Sequence, residues 1–313
     1  MKAKPRKPRN ESQAMKDFAG RTAFVTGGAN GVGIGLVSAL LDVGCNVAIA
    51  DIRSEAIDRA LKSLPGRNVM GVQVDVSSRD AVARAADEVE ARFGPVSLLF
   101  NNAGINLFQT IEESSYDDWD WVMGVNLNGP INGVMTFAPR MVAAGKGGYI
   151  VNTASMAAFL AAGKPGIYNT TKFAVRGLSE SLRASLAPHG IGVSVLCPGL
   201  VKSYIYASDE IRPERLKAGA RPVDHDNVER LAAVHEFGME PDVIAARVLE
   251  AMREDRFHIF THPEFKEELQ ELFGEILADF RDYPPDPGHA QRIGFEKTRR
   301  ESYRQQRKGL RGR

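Results

Sequence analysis

A single-domain α/β fold, with a doubly wound, parallel seven-stranded sheet, is the architecture this chain predicts. Short apolar segments recur at 22–27, 46–51, 70–75, 97–101, 148–153, 191–197 and 256–260. Helical periodicity fills the gaps at 33–44, 54–64, 79–93, 117–144 and 166–187. Such alternation implies parallel strands joined by helical crossovers that cover both faces of the sheet. The third observation is a glycine-rich turn between the first strand and its helix, at the end of the sheet where open α/β folds bind ligands. The length of 313 residues would allow two domains, but elements that share one sheet count as one.

The first strand, around Ala23-Phe24-Val25, runs into Thr26-Gly27-Gly28-Ala29-Asn30-Gly31-Val32-Gly33, and an apolar helix continues from Ile34. Gly27 and Gly31 allow backbone angles and a close approach that a Cβ forbids, and Gly33 lets helix and strand pack together. Free N–H groups and the helix dipole then face an anion, so the turn suits the pyrophosphate of a dinucleotide. A tight strand-to-helix connection without a ligand has the same composition, so the turn alone is weak evidence.

The second strand, Asn46 to Ala50, ends in Asp51, eighteen residues after Gly33. A carboxylate there accepts hydrogen bonds from the adenosine ribose and repels a 2′-phosphate. Asn30 supplies no compensating cation, so NAD is favoured over NADP. Arg53 is the dissenting residue, because a guanidinium swung toward the ribose would accommodate a phosphate.

Further along, Asn126 is a polar residue inside the long apolar helical stretch 117–144 and needs a partner, such as a water that relays protons. The strand Val151-Asn152-Thr153-Ala154 closes on Ser155, whose hydroxyl would project from a carboxyl end toward a substrate oxygen. Tyr168 and Lys172 are four apart and share a helix face. A phenol acting as a base near neutral pH must titrate roughly two to three units below its usual value, worth about 3–4 kcal/mol. One cation at about 4 Å in an effective dielectric of about 20 supplies that much. The turn and the tyrosine–lysine step together describe a nicotinamide-dependent alcohol or ketone oxidoreductase.

After Ser203 the pattern loosens. Residues 204–240 read as a lid over the substrate, with a plain surface insertion as the alternative. A helix resumes from Pro241 to Met252, an acidic amphipathic helix occupies 264–280, and a proline cluster at 284–287 precedes a basic end. The domain is therefore set at 18–283, between basic tails at 1–17 and 284–313.

The charged fraction of 25% and hydrophobic fraction of 43% are ordinary for a globular protein with a sizeable core. Cys45 and Cys197 cannot make a disulfide framework, no apolar run reaches the roughly 20 residues needed to span a bilayer, and the N-terminus lacks a signal core. These features predict a cytoplasmic protein with no membrane partner. The formal net charge of +1 hides basic ends, five cations in residues 1–10 and eight in 297–313, which read as solvated or subunit-binding segments rather than a nucleic-acid module. His258 and His262, four apart near Glu264, lack a convincing third ligand, so no metal is expected. Cys197 reads as a buried small hydrophobe.

The chain resembles the short-chain dehydrogenase/reductase family over roughly residues 18–262. The residues that carry the resemblance are TGGANGVG at 26–33, Asp75 in VDV, NNAG at 101–104, Asn126, Ser155, YNTTK at 168–172 and PGLVKS at 198–203, all in the family's order. The resemblance implies a Rossmann fold with Tyr168 as acid/base and Ser155 polarising the carbonyl. Lys172 would hold the nicotinamide ribose and lower the phenol's pKa, and Asn126 would support a proton relay. It also implies that Asp75 and Val76 border the adenine, that Asn102, Ala103 and Gly104 lie along the cofactor, and that Pro198, Gly199, Val201 and Ser203 contact its carboxamide end, beside Gly27, Asn30, Gly31, Val32, Gly33 and Asp51 at the phosphates and ribose. Ser203 departs from the threonine the family commonly has but retains the hydroxyl.

The family usually assembles as homodimers or homotetramers through its two long helices. More narrowly, YDDWDWVMGVNLNGPINGVMTFAPRM and GIGVSVLCPGLVKSYI resemble the Cα-dehydrogenases of bacterial lignin breakdown, which oxidise benzylic alcohols of aryl ethers with NAD. An apolar pocket follows from Leu107, Phe108, Met156, Phe159, Leu160 and Tyr204. The expected activity is NAD-dependent hydride transfer to and from a bulky hydrophobic secondary alcohol or ketone. The rivals are an NADP-linked ketone reductase and a non-catalytic nucleotide sensor, which has no need of Asn126, Ser155, Tyr168 and Lys172 together.

Overall fold

The computed structural model describes residues 14–310, with side chains through Gln305. Most of the basic segment 1–17 lies outside the described residues. Of its described part, Met15 packs into the core and its N–H reaches the Met252 carbonyl at 2.9 Å, so the domain begins a few residues before the expected boundary.

The chain alternates β1 (Thr22–Thr26), α1 (Gly31–Asp42), β2 (Asn46–Asp51), α2 (Ser54–Lys62), β3 (Val69–Gln73), α3 (Arg79–Phe93) and β4 (Val96–Asn101). It continues through α4 (Tyr116–Met123), α5 (Gly129–Ala144), β5 (Gly148–Thr153), α6 (Gly166–Leu186) and β6 (Ile191–Cys197). The last elements are α7 (His225–His235), α8 (Pro241–Arg253), β7 (His258–Phe260), α9 (Lys266–Ala278) and α10 (His289–Leu310). The strands form one parallel seven-stranded sheet in the order β3-β2-β1-β4-β5-β6-β7. The order reverses between β1 and β4, which opens a crevice beyond their carboxyl ends.

The apolar strands are continuous because both faces are covered. In β1, Ala23 and Val25 join the core built with Leu36 and Leu40 of α1 and Ile244 and Val248 of α8. Phe24, between them, faces the opposite layer and meets Val82 of α3 and Phe137 of α5, with ring centroids 4.8 Å apart.

The expected single helix over 117–144 is interrupted. Gly124–Asn128 forms a π-helical turn between α4 and α5. Gly124 and Gly129 loosen the backbone and Pro130 brings no N–H, so the wider turn forms there and aims Asn126 out of the helix ladder. The 204–240 segment is also more ordered than its composition suggests. It consists of 3₁₀ turns at Ile205–Ile211 and Glu214–Leu216 followed by α7.

Candidate active site

A cavity of about 990 Å³ opens over the carboxyl ends of the central strands. At one end, Gly27 (φ +59°) and Gly31 (φ +50°) take left-handed conformations, and Gly27, Asn30, Gly31 and Val32 line the wall. Gly33 stays behind it. A Cβ on Gly33 would fall 1.9 Å from the Gly27 carbonyl oxygen, so this glycine sets the packing of α1 against the turn. The turn is tied to the end of β4: Thr26 Oγ1 accepts from the Asn102 and Ala103 N–H groups at 2.9 and 3.0 Å, and Asn102 Nδ2 donates to the Thr26 and Gly27 carbonyls. An open helix N-terminus, two glycines without side chains and a buried Asn30 Nδ2 with no protein partner fit a pyrophosphate.

Asp51 closes β2 and is 8% exposed. Its carboxylate accepts the Ala29 N–H at 3.2 Å, so it anchors the glycine turn as well as facing the cavity. Arg53 lies 4.0 Å from Asp51, and Arg59, which sequence reasoning did not single out, also lines this end. Asp75 accepts the Ser77 N–H and hydroxyl at 2.9 and 2.7 Å, and the Val76 carbonyl accepts Asn132 Nδ2 at 2.8 Å, which presents both residues as the adjoining wall. Asn102, Ala103 and Gly104 line the same cavity as Ser155, Tyr168 and Lys172, and so do Pro198, Gly199, Val201 and Ser203.

Ser155 sits immediately beyond β5, accepts the Ala157 N–H at 3.1 Å and directs its hydroxyl at the Pro198 carbonyl, 3.4 Å away. Lys172 donates to the Thr153 carbonyl at 3.0 Å, and its ammonium lies 5.2 Å from the centre of the Tyr168 ring. Asn126 is one layer behind the cavity. Its amide makes a two-point clamp on the Ile105 backbone, at 2.8 and 2.9 Å, and reaches Thr171 Oγ1 at 3.3 Å. The Ile105 backbone and the Thr171 hydroxyl are thus the protein partners of its side-chain amide. A Cβ on Gly104 would lie 3.5 Å from both Asn126 Oδ1 and Lys172 Nζ, so Gly104 is held between them.

Burial governs the titration of this group in the protein alone. Burial pushes the Tyr168 phenol up, and hydrogen bonding to Ser155 offsets only part of that. Burial also brings Lys172 down to about 8. Desolvation disfavours the charged form of both groups, a cost that a distance argument in a uniform dielectric leaves out. The protein by itself thus holds Tyr168 as a proton donor.

At the other end, Phe108 and Tyr204 line the cavity, joined by Tyr206 and Phe265; Trp121 and Val125 line it as well but also border a smaller hollow with Ile52, Asp75 and Ser77. Leu107, Met156 and Phe159 do not line the cavity. Leu107 points away from its neighbour Phe108 and packs with Ile105, Trp121 and Val122. Met156 and Phe159 flank a short 3₁₀ turn that drives them under the wall, against Val175 and Cys197, with Leu160 packed on the same cluster. Phe159 instead carries the Arg176 guanidinium 4.0 Å from its ring centre. Tyr206 stacks obliquely on His235 of α7, centroids 5.0 Å apart.

A buried ion pair fastens this end. Arg212 meets Asp118 of α4 at 2.7 Å, donates to the Leu216 carbonyl at 3.2 Å and lies 4.6 Å from the Trp121 ring centre. Burial pushes the Asp118 carboxyl up, but hydrogen bonds from the Ser115 N–H, Arg212 and Gln109 outweigh it and hold it below the usual value.

Cys197 is wholly buried, and its thiol is pushed up to about 12 by desolvation. Among the described residues no group of three or more His, Cys, Asp or Glu side chains is placed to hold a metal, and no helix is long and apolar enough to cross a membrane. The His262 ring is engaged by the backbone of Gly199 and Leu200.

Comparison with known proteins shows the family to which the chain belongs. Residues 21–212 match the model of the short chain dehydrogenase family. A C alpha-dehydrogenase from a Sphingobium strain is 39% identical over 89% of this chain and 93% of its own. A short-chain dehydrogenase structure from Novosphingobium aromaticivorans is 62% identical and superposes with a TM-score of 0.84 over 95% of this chain and all of that one. A short chain dehydrogenase/reductase from Burkholderia phymatum, solved in complex with NAD, is 35% identical with a TM-score of 0.81 over 87% and 99% of the two chains. The chain belongs to the short-chain dehydrogenase/reductase family of oxidoreductases.

Proposed function

We propose that the protein oxidises a bulky hydrophobic or aromatic secondary alcohol to the ketone with NAD, and catalyses the reverse reduction, with Tyr168 as acid/base. The observation that carries this reading is the convergence of Ser155, Tyr168 and Lys172 on one wall of a cavity whose far end is a glycine cradle bordered by Asp51. NAD, held by the glycine cradle and Asp51, would supply the hydride acceptor and a positively charged ring. Ser155 orients the substrate oxygen, and Tyr168 takes its proton as the C–H bond breaks. Lys172, titrating near 8, exchanges a proton with its surroundings at ordinary pH. Asn126 acts through the Ile105 backbone by keeping Gly104 against Lys172.

Asp51 supports NAD over NADP, and the NAD complex of a 35% identical relative is in accord. Phe108, Tyr204, Tyr206 and Phe265 support an aromatic substrate, in line with the C alpha-dehydrogenase relative. The 204–240 segment acts as the cover of that end, and Phe173 of α6 with Met135 of α5, both exposed, support self-association through these helices. Two free, buried cysteines fit a reducing cytoplasm.

The test is turnover of benzylic alcohols and propan-2-ol with each cofactor. Tyr168→Phe should lower turnover at least about a hundredfold while leaving NAD binding in place. Turnover within tenfold of the parent would overturn the assignment. Tyr204→Ala should erode the advantage of the aryl alcohols and spare propan-2-ol; an equal penalty on both would remove Tyr204 from the substrate wall.

A further inference from the structure

His262 follows β7, far in sequence from the residues discussed above, and is 5% exposed. Its Nδ1 receives the Gly199 N–H at 3.0 Å, and its Nε2 is 2.9 Å from the Leu200 carbonyl oxygen. An N–H can only donate and a carbonyl can only accept, so these partners require a neutral ring with the proton on Nε2. Thr261 Oγ1 lies 2.8 Å from Nδ1 on the side of β7. The fit is close, because a Cβ on Gly199 would lie 3.0 Å from the imidazole and 2.5 Å from Phe265.

The stretch that His262 grips lines the cavity together with Ser155 and Lys172. The Pro198 carbonyl accepts the Met156 N–H at 2.9 Å and faces the Ser155 hydroxyl at 3.4 Å. Farther along, a Cβ on Gly31 would meet the Ser203 Cβ at 3.2 Å, so the same stretch reaches the glycine cradle. The geometry points to His262 as a positioning residue: by holding the Gly199 N–H and the Leu200 carbonyl with its two ring nitrogens, it fixes the 198–203 wall against the cofactor and sets the carbonyl beside Ser155. This rests on the reading of the cavity as a cofactor site.

Three variants separate the two contacts. Phe keeps the shape and makes neither, Asn can place an oxygen near Nδ1, and Gln can place an amide near Nε2. Amide hydrogen exchange of 198–203 without cofactor reads the restraint directly, calorimetric titration with NAD reads its effect on binding, and steady-state kinetics reads the partition between KM and kcat. His262→Phe should speed exchange across 198–203, weaken NAD about tenfold, and raise the KM for NAD more than it lowers kcat. His262→Asn should recover part of the loss through the Gly199 N–H. Parent-like exchange and NAD affinity in folded His262→Phe, or an Asn variant no better than Phe, would overturn the inference. If His262→Phe fails to fold, parent-like exchange and affinity in both the Asn and Gln variants would overturn it as well. A parent protein that does not bind NAD would instead overturn the reading of the cavity, whatever the exchange shows.

Discussion

Lys172 should make the protein less stable than it would be with an apolar side chain, and the penalty should depend on pH. Its folded value is about 8 against 10.5 for a free lysine. At about 1.4 kcal/mol per pH unit, the folded state gives up about 3 kcal/mol to keep this group charged. The sign follows from proton counts. Below about 8 both states carry the proton and the penalty is complete; between about 8 and 10.5 the unfolded chain binds the proton and the folded chain does not, so this contribution makes stability rise with pH; above 10.5 the penalty is gone. Lys172→Met removes the penalty but leaves the Thr153 carbonyl without its 3.0 Å donor, a loss of about 1 kcal/mol. The variant should therefore be about 2 kcal/mol more stable than the parent at pH 7, and this advantage should shrink and change sign as the pH approaches 10.5. Urea unfolding of both proteins at pH 7, 8.5 and 10 measures it. Cys45, pushed up to about 12 and influenced by Arg21 and Asp17 rather than by Lys172, bends the two curves alike and cancels in the difference, whereas Cys197 loses the lowering effect of Lys172 in the variant, so pH 7 and 8.5 are the points that decide. A difference that does not move with pH, or a variant less stable at pH 7, would refute the claim that the lysine is held charged against a desolvation penalty.

Asp51→Ala should narrow the ratio of kcat/KM with NAD to that with NADP. Because Asp51 also holds the Ala29 N–H, both values should fall, and the ratio is the quantity to read; a parent that prefers NADP would show that Arg53 and Arg59 govern this end instead. Gly33→Ala would place a methyl group 1.9 Å from the Gly27 carbonyl oxygen, so the variant should lose about 3 kcal/mol in urea unfolding and bind NAD at least tenfold more weakly. Parent-like values in both measurements would mean that the turn and α1 are free to move apart.

The sheet was legible because each strand is apolar over its whole length and only a strand covered on both faces needs that pattern. Asp51 and Ser155 were legible for a related reason: each is a polar residue at the end of such a run. Met156 and Phe159 were misplaced because an apolar side chain beyond a strand end reads the same whether it faces a cavity or the layer beneath it, and a three-residue 3₁₀ turn decides between them. The π turn left no mark, since the apolar pattern continues across it at nearly helical spacing. The raised phenol of Tyr168 follows from how much solvent the folded wall removes, which no local pattern encodes. The Arg212–Asp118 pair joins positions 94 residues apart and was invisible for that reason.

The π turn has a consequence for how this scaffold can vary. An α-helix advances about 100° per residue, so one additional residue in a turn rotates everything before it by about that angle relative to everything after it. The orientation of α4, which brings Trp121 to the cavity and Asp118 to Arg212, is thereby set apart from that of α5, which must keep Val134 and Phe137 on the sheet. A regular helix would have to satisfy both with a single rotation. With the break, α4 can be turned to suit the cavity without turning α5 on the sheet, and Asn126, fixed at the break itself, holds Ile105 from a position that belongs to neither helix.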